Sequence, residues 1–485
     1  MADVTWTARQ AECIAFAGPQ LLVSGPPGSG KTLVLLKRAC RLSLNAPRAR
    51  VMLFTYNNTL AQAARAQLRM NEGGQGVDVS TFHSWAFRQL IMLGRQPVVI
   101  SEADRSALLG ELMASSPGSG PRSSVLDQPV GWWGDEFDWI KGNALLNWDS
   151  YRDVERAGRG MGLRLAARES VWERFERYQQ RLVALGQVDY RDFALLLLRH
   201  WQPVPHASRI GNVLIDEAQD FRPAELRVLT QVALATLTVA ADRTQKIYKT
   251  AFVWRDLGFD VRGGGRARIL TKSYRTTRQV AALADSLRRY DPLVQAGDPD
   301  DVRSEASDRD GPVPVLVTTR DATHETEVML RLVAHLRAVR PHESIGVLAR
   351  VWGLVERLAD VLERHQVPVE IIREKGGNAL TAGVKLTTFH SSKGLEFGDV
   401  ILAGLSEGLF PPPLGYRLDA AEDERESDEL SIERRLLYVA MTRTRNALYL
   451  LAGQRPSRFL AELDPTRYVR TAPELVATLG DQLQR

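Results

Sequence analysis

The segment Gly25–Thr32 constrains this chain more than any other, because it places a glycine-rich turn and a lysine between an apolar strand and a helix. Its residues fit the pattern of glycine, any four residues, and then glycine, lysine and serine or threonine. We expect the strand over Gln20–Ser24 and the helix over Leu33–Ala39. At such a helix start, backbone N–H groups converge on phosphate oxygens. A tight turn that holds these residues by chance is the alternative, and the flanking elements argue against it.

All eight residues of the loop are therefore predicted to contact a bound nucleotide, with ATP as the expected cofactor. Lys31 would supply positive charge, and the Thr32 hydroxyl would be a ligand of Mg²⁺. The eight residues are Gly25, Pro26, Pro27, Gly28, Ser29, Gly30, Lys31 and Thr32.

Two carboxylates follow the apolar strand Val213–Ile215 and complement the loop. Asp216 is expected to hold the magnesium ion, and Glu217 to orient or deprotonate the attacking water. Loop and carboxylates together predict nucleoside triphosphate hydrolysis. Many unrelated proteins share this reaction, so the biological role has to come from other residues.

Composition limits the class of protein. The chain has 485 residues, and no apolar run approaches the ~20 residues that a membrane-spanning helix needs. Residues 1–10 lack the basic and apolar segments of a secretory signal, so we expect a cytoplasmic protein without a membrane partner. Two cysteines are too few for a disulfide framework. The isoelectric point near 9.2 suits an anionic partner, although exposed arginines on solvated helices would also explain it.

Strands alternate with helices in two blocks of the chain, and this alternation predicts an α/β fold with parallel sheets covered on both faces. Residues 88–206 are mostly helical in pattern and are expected to be an insertion, in which Ser170 and Glu173 would form a capping box at the start of a helix. The acidic segments Asp291–Gly311 and Asp419–Glu429 are expected to be flexible surface excursions. The predicted units are a first domain (1–87 and 207–266), the helical insertion (88–206), a second domain (267–470) and a C-terminal tail (471–485).

Several segments in order resemble the motifs of superfamily 1 helicases of the UvrD/PcrA/Rep type. This resemblance implies two RecA-like P-loop NTPase domains with a helical insertion in the first. The matching segments are Trp6–Gln10, Asp216–Asp220, Asp242–Tyr248, Ser273–Thr277, Thr388–Phe397 and Glu433–Arg445. The first and third depart from the usual pattern, since Trp6 and Thr7 replace a leucine and an asparagine, and a glycine and an aspartate are missing near Gln245.

The resemblance also implies roles for residues of the ATP site. Gln10 would read the adenine, Tyr274 would stack on it, and Glu396 would approach the ribose. Gln245, Arg275 and Arg443 would act at the γ-phosphate. The catalytic residues implied in this way are Lys31, Asp216, Glu217, Gln245, Arg275 and Arg443.

Contacts with a nucleic-acid strand are implied for ten residues on the loops after the strands of both domains. Core packing is the alternative for the aromatic residues Phe82, Tyr248 and Trp254. The ten residues are Thr55, Asn57, Thr81, Phe82, His83, Tyr248, Trp254, Arg255, Thr388 and His390.

Residues 350–384 are too few for the large second insertion that is typical of the resembled family, so we expect a compact form whose duplex separation is weak or depends on a partner. No appended nuclease is expected after Arg445. The leading hypothesis is an ATP-dependent 3′-to-5′ translocase or helicase on single-stranded DNA or on a single-strand/duplex junction. One alternative is a DNA-activated ATPase switch or sensor that controls a partner nuclease or effector, as in phage defence. Another is an RNA motor.

Overall fold

The computed structural model describes residues 6–114, 125, 128–154, 156, 163–201, 204–241, 259, 266–291, 308–373, 381–412 and 422–471. Within them, six parallel strands form a first sheet in the spatial order β3-β2-β6-β7-β1-β8. The strands of this sheet are β1 (Gln20–Ser24), β2 (Val51–Thr55), β3 (Val77–Thr81), β6 (Ile210–Ile215), β7 (Ala233–Ala241) and β8 (Ala267–Ile269).

A second sheet of seven strands, also parallel throughout, has the order β11-β12-β10-β13-β14-β9-β15. A short parallel pair is formed by β4 (Val98–Val99) and β5 (Gln187–Val188). The strands of the second sheet are β9 (Val315–Thr318), β10 (Ser344–Ala349), β11 (Val369–Ile371), β12 (Gly383–Thr388), β13 (Asp399–Leu402), β14 (Leu448–Ala452) and β15 (Val469–Thr471).

Helices cover both sheets and build the insertion. In chain order they are α1 (Ala8–Ala15), α2 (Lys31–Asn45), α3 (Asn58–Arg69), α4 (Phe82–Met92), α5 (Glu102–Ala114), α6 (Val130–Gly142), α7 (Trp148–Asp153), α8 (Leu165–Ala184), α9 (Asp192–His200), α10 (Pro223–Val232), α11 (Arg278–Arg288), α12 (Ala322–Val339), α13 (Trp352–Arg364) and α14 (Glu422–Met441). None of the helices in the described ranges combines the length and the apolar character needed to cross a membrane.

Alternating side chains of the strands point to opposite faces, and each face has its own core. In β1, Leu21 and Val23 pack with residues of α1, α2 and α3, whereas Leu22 packs with α4, α9 and α10. The second sheet is likewise sandwiched, with α11 and α14 on one face and α12 and α13 on the other. The predicted α/β class with two parallel sheets is confirmed.

The insertion has a separate aromatic core. Trp133 and Phe137 of α6 are fully buried and pack edge-on at 6.1 Å between ring centroids. A buried charge network lies beneath this core, where Lys141 Nζ donates to Asp189 Oδ2 at 2.6 Å and lies 2.8 Å from Asp192 Oδ1. These contacts tie α6 to the segment that leads into α9.

Three details differ from the sequence-based expectations. The helix expected to begin at Ser170 begins at Leu165, and the Ser170 hydroxyl donates to the carbonyl of Ala166, so the capping box is wrong. Strand β8 pairs with β1, so the chain leaves the first sheet after Ile269 rather than at residue 267. The acidic segment near residue 420 enters a helix at Glu422, because glutamate favours helices and acidic residues suit a helix N-terminus.

Candidate active site

The loop between β1 and α2 is shaped by two glycines with left-handed backbone. Gly28 has φ +74° and Gly30 has φ +84°, a region that other residues rarely adopt. A Cβ at Gly28 would lie 2.3 Å from Cβ of Arg275, and one at Gly30 would lie 2.8 Å from Nε2 of Gln10. Only glycine fits at either position. The loop is therefore packed directly against Gln10, which is predicted to bind the adenine, and against Arg275, which is predicted to act at the γ-phosphate.

The polar side chains of the loop fit a phosphate cradle. Lys31 is 8% exposed, and its Nζ donates to the carbonyls of Gly25 at 2.7 Å and Pro26 at 2.9 Å. Within the described part of the chain, the buried Ser29 Oγ has no hydrogen-bond partner. The first N–H groups of α2 also face this loop, because a helix start leaves them without partners inside the helix. The loop and the start of α2 therefore have hydrogen-bond donors that are available to phosphate oxygens.

The carboxylate pair lies beside the loop, as expected. The Thr32 hydroxyl donates to Asp216 Oδ2 at 2.7 Å. Burial and the neighbouring Glu217 carboxylate raise the pKa of Asp216 to about 7. Glu217 itself has a left-handed backbone, with φ 51° and ψ 44°, and accepts a hydrogen bond from Gln219. A non-glycine residue in this conformation at the end of a buried strand is typical of a functional site.

Gln10 and Tyr274 lie on either side of the loop. Gln10 is buried, and its Nε2 donates to the carbonyl of Ser29 at 3.1 Å. The backbone N–H of Tyr274 donates to the carbonyl of Gly28 at 2.9 Å, while its ring is 40% exposed. The pair leaves one buried amide and one accessible aromatic face next to the phosphate loop, which suits a purine base.

Arg275 connects the loop to the second half of the chain. Its Nε and Nη2 both approach Glu396 Oε1, at 2.7 Å and 2.6 Å. Burial would raise the pKa of Glu396, but the Arg275 guanidinium outweighs it and the pKa is lowered. Glu396 follows β12, so an arginine beside Gly28 is held by a carboxylate of the second domain.

Arg443 is more deeply buried than its predicted role at the γ-phosphate suggested. It is 1% exposed, and its Nε donates to the carbonyl of Val439 at 2.9 Å. Its Nη1 donates to the carbonyl of Leu395 at 3.4 Å, and its charge contributes to lowering the pKa of the neighbouring Glu396. Its contact with a γ-phosphate stays a prediction.

Three threonines and an asparagine that were expected to contact a nucleic-acid strand make hydrogen bonds within their own loops, and two of them, Asn57 and Thr81, are helix N-caps. Thr81 Oγ1 accepts from the N–H of Ser84 at 3.3 Å, and Thr388 Oγ1 accepts from that of Ser391 at 3.1 Å. Asn57 Oδ1 accepts from the N–H of Leu60 at 2.9 Å, and Thr55 Oγ1 donates to the carbonyl of Asn57 at 3.2 Å. These side chains fix the loops at the carboxyl edges of the sheets, and their contact with a strand stays a prediction.

The predicted contact of Phe82 with a nucleic-acid strand is wrong. Its side chain is 2% exposed and belongs to the core of the first domain, so the core alternative replaces base stacking. His83, the next residue, is half-buried: its Nε2 lies 3.6 Å from Glu225 Oε1, and its ring packs edge-on against Tyr190 at 5.7 Å. The two neighbours differ because successive side chains of α4 point in directions about 100° apart, so that only Phe82 is directed fully into the core.

Comparisons with known proteins agree with this site. Residues 6–106 and 158–255 match the model of the UvrD/REP helicase N-terminal domain, and residues 373–455 match that of the UvrD-like helicase C-terminal domain. Together the two matches span more than half of the chain and contain Lys31, Asp216, Glu217, Glu396 and Arg443. The chain belongs to the UvrD/REP helicase family. The resemblance noted from the sequence and the assignment as an ATP-dependent DNA helicase are confirmed.

Two relatives match this helicase over most of its length, and a third matches a shorter segment. ATP-dependent DNA helicase UvrD2 of Mycobacterium tuberculosis is 24% identical over 577 residues, which cover 93% of this chain and 80% of that protein. DNA helicase IV of Escherichia coli is 24% identical over 508 residues, covering 93% and 69%. ATP-dependent DNA helicase PcrA of Staphylococcus aureus is 44% identical over 92 residues, covering 17% and 12%. The alignment with UvrD2 is longer than the 485 residues of this helicase, which is therefore the more compact protein.

Four site residues of the helicase lie outside the described residues: Gln245, Tyr248, Trp254 and Arg255. Their roles stay predictions.

A surface around His83, with two exposed tyrosines and two half-buried arginines, was not predicted as a whole from the sequence. We call it the tyrosine surface, and it consists of Tyr56, His83, Tyr190, Arg191 and Arg222. The two tyrosines are 51% and 53% exposed, and both arginines lie within electrostatic reach of Tyr56 and His83. The available signal for Tyr190 was an aromatic residue between Asp189 and Arg191, two residues after β5.

His390 gives the helicase a pH-dependent stability. Burial, followed by the charges of Arg350 and Lys393, lowers the pKa of His390 to about 4. The unfolded chain takes up this proton near pH 6.5, so stability is complete above pH 6.5 and is lost as the pH falls towards 4. At pH 5 the loss is about 2 kcal/mol, or roughly 5 °C in melting temperature. Thermal unfolding of wild type and His390→Gln at pH 7.5 and 5.0 measures it.

In that experiment the wild type should lose more melting temperature between the two pH values than His390→Gln does. His200→Gln, at an exposed position at the end of α9, should behave like the wild type. Equal pH dependence of wild type and His390→Gln would exclude this role of His390.

Proposed function

We propose that this helicase is an ATP- and Mg²⁺-dependent motor that moves along single-stranded DNA from 3′ to 5′ and separates strands at a junction with duplex. The observation that carries the proposal is the position of Arg275, whose Cβ lies beside Gly28 while its guanidinium is held by Glu396. Because Arg275 lies against the phosphate loop and is also held by the second domain, the rate of ATP hydrolysis would depend on the relative position of the two domains. Such dependence is what a motor needs to convert hydrolysis into movement.

ATP would supply the phosphoryl group whose transfer to water releases free energy for movement. Lys31 and the first N–H groups of α2 would hold phosphate oxygens, and the partnerless Ser29 Oγ supports this fit. Thr32 and Asp216 would hold Mg²⁺, to which carboxylate and hydroxyl oxygens are suited. Glu217 would orient the attacking water, and Arg275, Arg443 and Gln245 would neutralise the transferred charge. Gln10 and Tyr274 would bind the adenine.

The tyrosine surface would carry part of the DNA strand in the first domain. Exposed aromatic rings offer stacking platforms for bases, and nearby arginines offer charge for phosphates. The surface lies next to the loops that follow β2 and β3, where Thr55, Asn57 and Thr81 were assigned to the strand. In the second domain, Thr388 and His390 occupy the corresponding loop after β12.

Replacing Tyr190 by alanine should weaken binding of single-stranded DNA about 5- to 100-fold, the effect of losing one stacked base. Tyr190→Phe should bind within twofold of wild type, because the ring is retained. Tyr290→Ala removes a tyrosine of similar exposure, 47%, from the other domain and serves as the control. Fluorescence anisotropy with a labelled oligonucleotide measures all three. Unchanged affinity of Tyr190→Ala would remove Tyr190 from the DNA path.

The proposed function is tested by ATP hydrolysis and by strand displacement. ATPase rates are measured without nucleic acid and with single-stranded DNA, duplex DNA or single-stranded RNA, and displacement is followed on partial duplexes with a 3′ or a 5′ tail. We expect stimulation by single-stranded DNA and displacement from the 3′ tail only. Absence of stimulation by DNA would contradict the proposal, and preferential stimulation by RNA would favour the RNA motor.

A DNA-activated switch that controls a partner nuclease or effector is the second candidate, and the compactness of the chain favours it. In that case single-stranded DNA should stimulate hydrolysis, but strand displacement and translocation should be weak. Streptavidin displacement from a biotinylated single strand separates the two, because a motor removes it in an ATP-dependent way and a switch does not.

A further inference from the structure

An ion pair joins the two domains next to the carboxylates of the ATP site. Lys393 Nζ contacts Asp220 Oδ1, although the two residues are 173 positions apart in the chain. Their side chains are 14% and 10% exposed, so the pair is largely removed from solvent. Removing one partner of such a pair is costly, because it leaves an uncompensated charge in a largely buried position.

On the first domain the pair is attached to the loop that carries Glu217. Asp220 ends the 3₁₀ turn Ala218–Asp220, which follows Glu217, and its N–H donates to the carbonyl of Glu217 at 2.9 Å. Gln219 of the same turn contacts the Glu217 carboxylate. A shift of Asp220 therefore moves the backbone that holds Glu217 in its left-handed conformation.

On the second domain the pair is attached to a loop that contains Glu396, which we assign to the nucleotide, and His390, which we assign to the DNA strand. The N–H of Lys393 donates to the carbonyl of His390 at 3.2 Å, and Glu396, three residues further, holds Arg275. Gly394, the residue after Lys393, has φ +81°, and a Cβ there would lie 3.0 Å from Cδ2 of Leu60 on α3. This loop therefore contacts the first domain at two adjacent residues, Lys393 and Gly394.

From these contacts we infer that Asp220 and Lys393 form a positioning pair, through which a DNA strand bound beside Thr388 and His390 sets the water-orienting loop of Glu217. The inference rests on the proposed function, because it assigns a route for stimulation by DNA. Neither residue contacts the reacting atoms in this account. Both act through their neighbours, Glu217 on one side and the loop His390–Glu396 on the other.

The test uses the full chain with Asp220→Asn, Lys393→Met and the charge exchange Asp220→Lys with Lys393→Asp. The measured quantity is the ratio of the ATPase rate with saturating single-stranded DNA to the rate without DNA. Each single variant should lower this ratio about tenfold, within the range of coupling between sites in allosteric proteins. The exchange should restore part of the ratio, because the attraction does not depend on which domain carries which charge. The KM for ATP should stay within twofold of wild type.

Arg434→Met is the matched control, because Arg434 pairs with Glu462 inside the second domain at 2.6 Å and 2.8 Å with similar exposure, 11% and 17%. It should leave the ratio within twofold of wild type. Single variants that keep the wild-type ratio would overturn the inference while the proposed function stands. An equal loss in Arg434→Met would also overturn it, by showing that general destabilisation is responsible. A wild type without stimulation would refute the proposed function and the inference with it.

Discussion

Replacing Lys31 by alanine is expected to lower the DNA-stimulated ATPase rate about 10²- to 10³-fold, as loss of one preorganised donor does in other active sites. Lys31 begins α2, is buried, and is held by the carbonyls of Gly25 and Pro26 at the mouth of the loop. In the proposed reaction it exchanges these carbonyls for phosphate oxygens. Steady-state phosphate release at saturating single-stranded DNA measures the effect.

Lys37→Ala is the matched control, because Lys37 lies on the same helix but is exposed. Its rate should stay within twofold of wild type. Melting temperatures of both variants show whether the fold is retained. If folded Lys31→Ala kept more than a tenth of the wild-type rate, the loop would not be the phosphate site.

Replacing Arg275 by alanine should lower the stimulated rate about 10³-fold, the lower end of the effect of an arginine finger. The reason is its position: Arg275 reaches the loop at Gly28, and Glu396 fixes the direction of its guanidinium. Arg275→Lys should recover little, because an ammonium group cannot reproduce the planar fork of donors. Affinity for ATP, measured by equilibrium binding, should change much less than the rate.

Arg278, three residues further along, provides the control for Arg275. It is 52% exposed, and its Nη2 lies 3.5 Å from Asp310. Arg278→Ala should hydrolyse ATP within twofold of wild type. A similar loss in both variants would indicate that the whole segment is destabilised, and an active Arg275→Ala would remove this residue from the reaction.

The sequence was informative wherever a local pattern fixes the structure. β1 was expected at Gln20–Ser24 and has those bounds, because a buried parallel strand appears as an uninterrupted apolar run before a glycine-rich turn. The neighbourhood of Thr32 and Asp216 was expected for a similar reason, since both follow strands whose carboxyl ends share one edge of the sheet.

The sequence was uninformative where tertiary contacts decide. Ser170 has the local pattern of a helix cap, yet the helix begins at Leu165, because packing against the insertion core extends it. Phe82 and His83 are adjacent, and only the packing of α4 separates a fully buried residue from a half-buried one. The contact of Asp220 with Lys393 joins residues 173 positions apart, and no local pattern encodes such a pair.

The place of β8 in the first sheet limits how the helicase can open. β8 ends at Ile269, and Arg275 follows only six residues later. A fully extended stretch of six residues spans about 20 Å, so Arg275 cannot lie farther than this from the end of β8. At this connection the two domains therefore cannot move apart by more than about 20 Å. We expect any larger opening to occur at positions away from this segment.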